Sequence, residues 1–120
     1  VRRTQDMLNA QGLPVKGSKI LLVGVTYKPN IADQRESPAR PIALALQALG
    51  ARLSFWDPHV ESWEIGGVAI QRVPDLPKSH EDIHAVVVLQ HHAEVTEWDS
   101  SRLQDRILDT RGQPGFRLQL

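Results

Sequence analysis

The chain has 120 residues, with 14 basic and 14 acidic side chains, five histidines and no cysteine. That length suits one domain burying roughly two-thirds of its unfolded surface. Balanced charge leaves no overall field to draw the chain to nucleic acid or a membrane, so any anion site must be local, and the missing cysteine excludes disulfides, thiolate zinc sites and a cysteine nucleophile within these residues.

Residues 2–11 read as the last turns of a helix, with Met7 and Leu8 as its apolar positions and Gly12 placed to end it. The stretch LPVKGS that follows is a linker. Because the chain opens on Val1 and runs at once into this polar helix, it reads as a fragment of something longer. Residues 19–25 (KILLVGV) form a near-continuous apolar run, as expected of a central parallel strand covered on both faces. A long polar loop, GVTYKPNIADQRESP, comes next. Ser37 can then cap a helix with Pro38 at its first position. Pro41 lacks the N–H that a fourth helical residue donates, so either the first turn is irregular or the helix starts at Pro41. Ile42, Ala43, Leu44, Leu46 and Leu49 keep helical spacing, and Gly50 is a stop.

Residues 52–56 alternate as a second strand ending at Asp57-Pro58-His59. Residues 61–77 are the least legible. Val68-Ala69-Ile70 suggests a short edge strand, and Pro74 and Pro77 break any helix. Ser79 with Asp82 has the spacing of a capping box. Residues 85–89 (AVVVL) form a third buried strand, residues 100–105 a short helix, and Ile107-Leu108 a fourth strand with Asp109-Thr110-Arg111-Gly112 as its exit. Strands alternating with helices predict an α/β fold with a mostly parallel, doubly wound sheet, a Rossmann-like three-layer sandwich.

Parallel strands put their carboxyl ends on one edge, which would collect Tyr27 and Lys28, Asp57, His91 and His92, and Asp109 and Arg111. Lys28 and Arg35 in the long loop offer fixed cations, which suit a phosphate-bearing ligand. Against this stands the reading of a solvated loop with ordinary surface charges. Asp33 reads as structural, holding the loop through backbone amides or Arg35. Tyr27 either stacks on a ring or packs on the sheet edge, and Asp109 is the local ion-pair partner of Arg111 if that residue has no ligand. Asp57 invites comparison with the acidic residue that grips a ribose, but the first turn has only Gly24 and no G-x-G-x-x-G, which argues against a dinucleotide cradle within this domain. His91-His92 with Glu94 lacks the spacing and third ligand of a metal motif, and the other three histidines read as surface residues. No nucleophile and base pair emerges, so no catalytic residue and no metal ligand is assigned.

The run GVTYKPNIADQRESPA resembles the signature loop in the C-terminal domain of the UDP-glucose/GDP-mannose dehydrogenase family. Three further stretches match in order: Phe55-Trp56-Asp57-Pro58-His59, AVVVL with its His-containing loop, and Ile107-Leu108-Asp109-Thr110-Arg111. The resemblance covers residues 16–111. It implies NAD-dependent oxidation of the C6 alcohol of a nucleotide-linked sugar to a carboxylate, with NAD held mainly by an N-terminal domain that also supplies a catalytic cysteine. It implies that Tyr27 and Lys28 contact the nucleotide and its phosphates, that Arg111 approaches the same site, and that Arg35 reaches the NAD. Residues 1–15 would be the end of an interdomain helix and linker, and residues 16–120 the nucleotide-sugar-binding domain. The implied partners are a UDP-sugar, the N-terminal domain of the same chain and a second copy of the full-length protein. The TYKPN wording tilts the substrate toward a UDP-N-acetylhexosamine. The stretch after Arg111 is shorter and richer in Pro and Gly than the family pattern, and His91-His92 matches its loop only in part. A stand-alone Rossmann-like nucleotide-binding or regulatory module is the alternative, and a mere packing element a third reading. The absence of an apolar run of spanning length and of a signal-peptide pattern predicts a cytoplasmic location and no membrane partner.

Overall fold

The computed structural model describes residues 1–26, 38–78 and 83–110. Its strands are β1 (Lys19–Val23), β2 (Arg52–Trp56), β3 (Glu64–Ile65), β4 (Val68–Ala69), β5 (Gln71–Arg72), β6 (Ala85–Val88) and β7 (Ile107–Asp109). Five of them form one sheet in the order β5-β2-β1-β6-β7, and every neighbouring pair is parallel. Alternating side chains of the central strands feed two cores. Ile20, Leu22, Ala85 and Val87 face one side, Leu21, Val23, Val86 and Val88 the other. That double burial is why these strands read as unbroken apolar runs.

The first face is covered by α1 (Arg2–Ala10), α2 (Ala39–Ala48) and the two-stranded hairpin of β3 and β4. Helix α2 lays Ala39, Ala43 and Leu46 on the sheet at spacings of four and three, and the two alanines let the helix axis come close. Pro41 is its third residue, so its missing N–H is one that the first turn leaves unused in any case; the expected irregularity does not arise. Gly50 ends the helix with φ +87°. Helix α1 buries Leu8 completely in the same core. The opposite face has a thinner cover: α3 (Ala93–Thr96), a 3-10 helix (Ser101–Arg106) and residues 73–78. The Trp98 indole donates to the Pro77 carbonyl (2.6 Å) and Arg106 to the Ile83 carbonyl (2.9 Å), which pins that layer.

The structure has the expected α/β, three-layer form, with local corrections. β1 stops at Val23, two residues early, because Gly24 turns the chain with φ +82°. Val68-Ala69 pairs with Glu64–Ile65 in the separate hairpin, and the edge strand of the main sheet is Gln71–Arg72. Gly66 and Gly67, both at positive φ, make the hairpin turn that withdraws Val68 from the sheet. The short helix is of 3-10 type and runs to Arg106, and α3 is an addition to the expected elements. The expected caps at Ser37 and at Ser79 with Asp82 lie outside the described residues. No helix among the described residues is long and apolar enough to cross a membrane.

The chain leaves β1 for β2 across the first face and β6 for β7 across the second. The two windings diverge between adjacent β1 and β6, which is the topological switch point. There the backbones nearly touch: a Cβ built on Gly24 would stand 2.6 Å from the Gln90 carbonyl oxygen. Substituting Gly24→Ala should therefore cost on the order of 2 kcal/mol, combining the positive φ with the collision. Urea unfolding would read this as a lower midpoint at unchanged slope, and an unchanged midpoint would refute it.

Candidate functional site

The carboxyl ends of β2, β1, β6 and β7 lie side by side. Ladder bonds continue briefly past the strands: Val23 O accepts from the Leu89 N–H (2.8 Å) and the Gln90 N–H (3.3 Å), and Val88 O accepts from the Thr110 N–H (3.1 Å) and its hydroxyl (2.8 Å). The β1, β6 and β7 exits are thus held in a row, chiefly by backbone bonds.

Asp57, directly after β2, is fully buried. Its Oδ2 accepts from the Val25 N–H at the β1 exit (2.8 Å) and from His92 Nε2 at the β6 exit (2.8 Å). Its Oδ1 accepts from the His59 N–H (2.8 Å), closing the turn of its own exit. Burial alone would raise the Asp57 pKa; the bonds from His92, His59 and Val25 and the His92 charge outweigh it and hold the carboxyl below its ordinary value. At neutral pH the group is therefore an ionised acceptor, and His92 must carry its proton on Nε2. Thr26 Oγ1 lies 3.1 Å from that same nitrogen and accepts a share of the proton. The His92 ring is fully buried, with the His59 ring 4.9 Å away edge to face and Trp56 beyond at 6.4 Å.

A second pair repeats the pattern on the other side. His91 Nε2 donates to both oxygens of Asp109, at 2.9 and 2.8 Å, with both residues buried. Adjacent residues leaving a strand point to opposite sides. The two histidines thus serve opposite neighbours, His92 reaching β1 and β2 while His91 reaches β7.

These contacts bear on several expectations from the sequence. Asp57 has its carboxylate committed to three donors from this chain, so it is a structural acceptor and not a ribose ligand. His91 and His92 are hydrogen-bonded to Asp109 and Asp57, and among the described residues no group of three His, Cys, Asp or Glu could hold a metal. His84 is not a plain surface residue: it is half-buried, and its Nδ1 accepts the Lys19 N–H (2.8 Å) at the amino end of β1. His59 is exposed, as expected of a surface residue, and His80 lies outside the described residues. So do Tyr27, Lys28, Asp33, Arg35 and Arg111. The last described residues before them, Thr26 and Thr110, end the β1 and β7 exits on either side of β6. The groove between Trp56 and Trp98 on the second face is a poorer place for an anion, since Asp75, Glu94, Glu97 and Asp99 face it against Arg72 and Lys78.

The profile of the UDP-glucose/GDP-mannose dehydrogenase family, UDP binding domain, matches residues 21–114. This chain belongs to that family. It is 36% identical to the UDP-glucose 6-dehydrogenase of Rhizobium meliloti (strain 1021) over 104 residues, covering 84% of this chain and 22% of that protein. It is 28% identical to the UDP-N-acetyl-D-mannosamine dehydrogenase of Methanococcus vannielii over 126 residues, covering 92% of this chain and 28% of that protein. The fold matches the solved structure of NDP-N-acetyl-D-galactosaminuronic acid dehydrogenase from Methanosarcina mazei Go1 with a TM-score of 0.73 at 23% identity, over 92% of this chain and 24% of that one. The chain thus spans about a quarter of the length of these relatives.

Within this UDP binding domain, the His–Asp pairs are what the sequence reading missed. The available signal was the composition of the exits: two carry an Asp and a third carries His-His, while the pairing itself depends on strand order. Because the folded pKa of Asp57 is lowered, the unfolded chain binds the proton more tightly. The stability this confers is present above the unfolded value of about 3.8 and is lost as the pH falls through the lower folded value. Asp57→Asn should remove that acid-dependent component and cost about 2 kcal/mol at pH 7. Thermal unfolding of both proteins between pH 2 and 7 checks it, and parallel profiles would contradict it.

Proposed function

We propose that this chain is the nucleotide-sugar-binding domain of an NAD-dependent nucleotide-sugar 6-dehydrogenase, which oxidises the C6 alcohol of a UDP-hexose or UDP-N-acetylhexosamine to the uronic acid. The observation that carries this reading is the family match across residues 21–114 on a fold whose switch point lies between the β1 and β6 exits. Thr26, the last described residue before the sequence with Tyr27 and Lys28, lies at that crevice, and Thr110, before Arg111, lies one strand away. On this reading Tyr27 and Lys28 contact the nucleotide and its phosphates, Arg111 approaches the same diphosphate, and Arg35 reaches NAD. Cationic side chains would make charge-assisted bonds to the phosphate oxygens.

The described residues do not suit NAD as a resident group, since the β1 turn has only Gly24 and Asp57 is already committed to donors of its own chain. NAD is assigned to an N-terminal domain of the same polypeptide, together with the catalytic cysteine that these 120 residues lack. Residues 1–15 are assigned to the interdomain helix and linker and residues 16–120 to the domain itself. The whole enzyme is proposed to be a cytoplasmic homodimer that supplies uronic acid nucleotides for polysaccharide synthesis.

An amide chemical-shift titration of this chain with UDP, beside uridine as a control, tests the site. Shifts at Tyr27, Lys28 and Thr110 that require the diphosphate are expected, and no shifts at millimolar UDP would reject it. Lys28→Ala and Arg111→Ala should each weaken UDP binding by about 1.5–3 kcal/mol without unfolding the domain, the cost of one charged hydrogen bond. Equal affinity would remove that residue from the site. The chain alone should form no NADH from UDP-sugar and NAD, and measurable turnover would overturn the division of labour.

A further inference from the structure

We infer that His91 and His92 are positioning residues for UDP binding: a two-sided clamp that sets the spacing of the β1 and β7 exits and hence of the loops that follow them. The inference rests on the nucleotide reading above and adds residues that touch no ligand. His92, from the β6 exit, binds Asp57 at 2.8 Å and Thr26 at 3.1 Å. The Asp57 oxygen it binds also holds the Val25 N–H, so one imidazole fixes the two residues that lead into the loop with Tyr27 and Lys28. His91 binds Asp109 through both carboxylate oxygens, one residue before Thr110 and two before Arg111. A diphosphate gripped from two loops needs their separation held to a fraction of an ångström, because pre-ordered donors lose less freedom on binding. Both imidazoles belong to one dipeptide at one strand exit, so that separation is set by a short piece of backbone.

The chemistry of the clamp makes it separable from packing. Both histidines act through Nε2. A glutamine amide nitrogen reaches the position of imidazole Nε2, whereas the shorter asparagine amide corresponds to Nδ1 and falls short. His92→Gln should therefore retain UDP affinity within about threefold, and His92→Asn should raise the Kd about tenfold or more. His91→Gln and His91→Asn should divide in the same way. The titration follows amide shifts with UDP, and each variant is also measured without ligand. In the asparagine variants the Val25 and Thr26 amides (for His92) or the Asp109 and Thr110 amides (for His91) should move, and in the glutamine variants they should stay near their wild-type positions. Where His92→Asn fails to fold, Thr26→Val supplies the comparison, since it keeps the Asp57–His92 pair and removes the Thr26 hydroxyl contact to His92. It should weaken UDP severalfold. A folded asparagine variant that binds UDP as tightly as wild type overturns the clamp alone. A wild-type chain that shows no UDP-dependent shift overturns the nucleotide reading and the role given to the clamp with it.

Discussion

The organisation of the carboxyl edge depends on a buried carboxylate finding donors. An ionised Asp57 sealed from water would be untenable without compensation. It is kept by two backbone N–H groups and one imidazole, drawn from three strand exits. That requirement dictates more than local geometry. It obliges the chain after β1 to present the Val25 N–H inward, which in turn needs the turn at Gly24 and the close approach to Gln90. It obliges the residue after His91 to be a donor that can reach across the β1 exit to β2. The cost of burying one charge is met by fixing three segments relative to one another.

Where local signals and tertiary demands agree, the fold is readable from residue pattern alone. KILLV and AVVV are buried on both faces and read as such, and Gly50 does at the end of α2 what its position suggests. Legibility fails where long-range pairing overrides a local pattern. Val68-Ala69 has strand character, but two glycines fold it back onto Glu64–Ile65, and the main sheet takes the exposed and unremarkable Gln71-Arg72 instead. Those two residues carry no apolar signature because the edge of the sheet does not demand one. What Arg72 contributes is polar: its guanidinium donates to the carbonyls of Val60 and Asp57 and braces the β2 exit.

The site divides along the same line. The convergence of four exits follows from topology, and the structure brings Asp57, His91, His92 and Asp109 together there. Their roles could not be read from spacing, because which carboxylate each histidine meets depends on strand order, and the sequence does not state that β1 lies between β2 and β6. Asp57 in particular looks like a ribose ligand only while its three donors are unknown. The distinction is between residues that build the edge and residues that face a ligand. The signature loop and Arg111 are candidates for the second role, and the buried pairs fill the first.

That separation bears on how a chain of zero net charge can hold an anion. Asp57 and Asp109 place two carboxylates directly beneath the edge, each engaged by an imidazole N–H. The hydrogen bonds satisfy their lone pairs but do not cancel their charge while the imidazoles are neutral, and in a poorly screened interior that field reaches the crevice. A diphosphate entering there would meet unfavourable potential unless local cations more than offset it. A single lysine would leave the balance negative, whereas Lys28, Arg35 and Arg111 supplied from two loops on the proposed reading would reverse it. On that reading, positive charge at this edge would be a consequence of how the edge is built, as much as of what it binds.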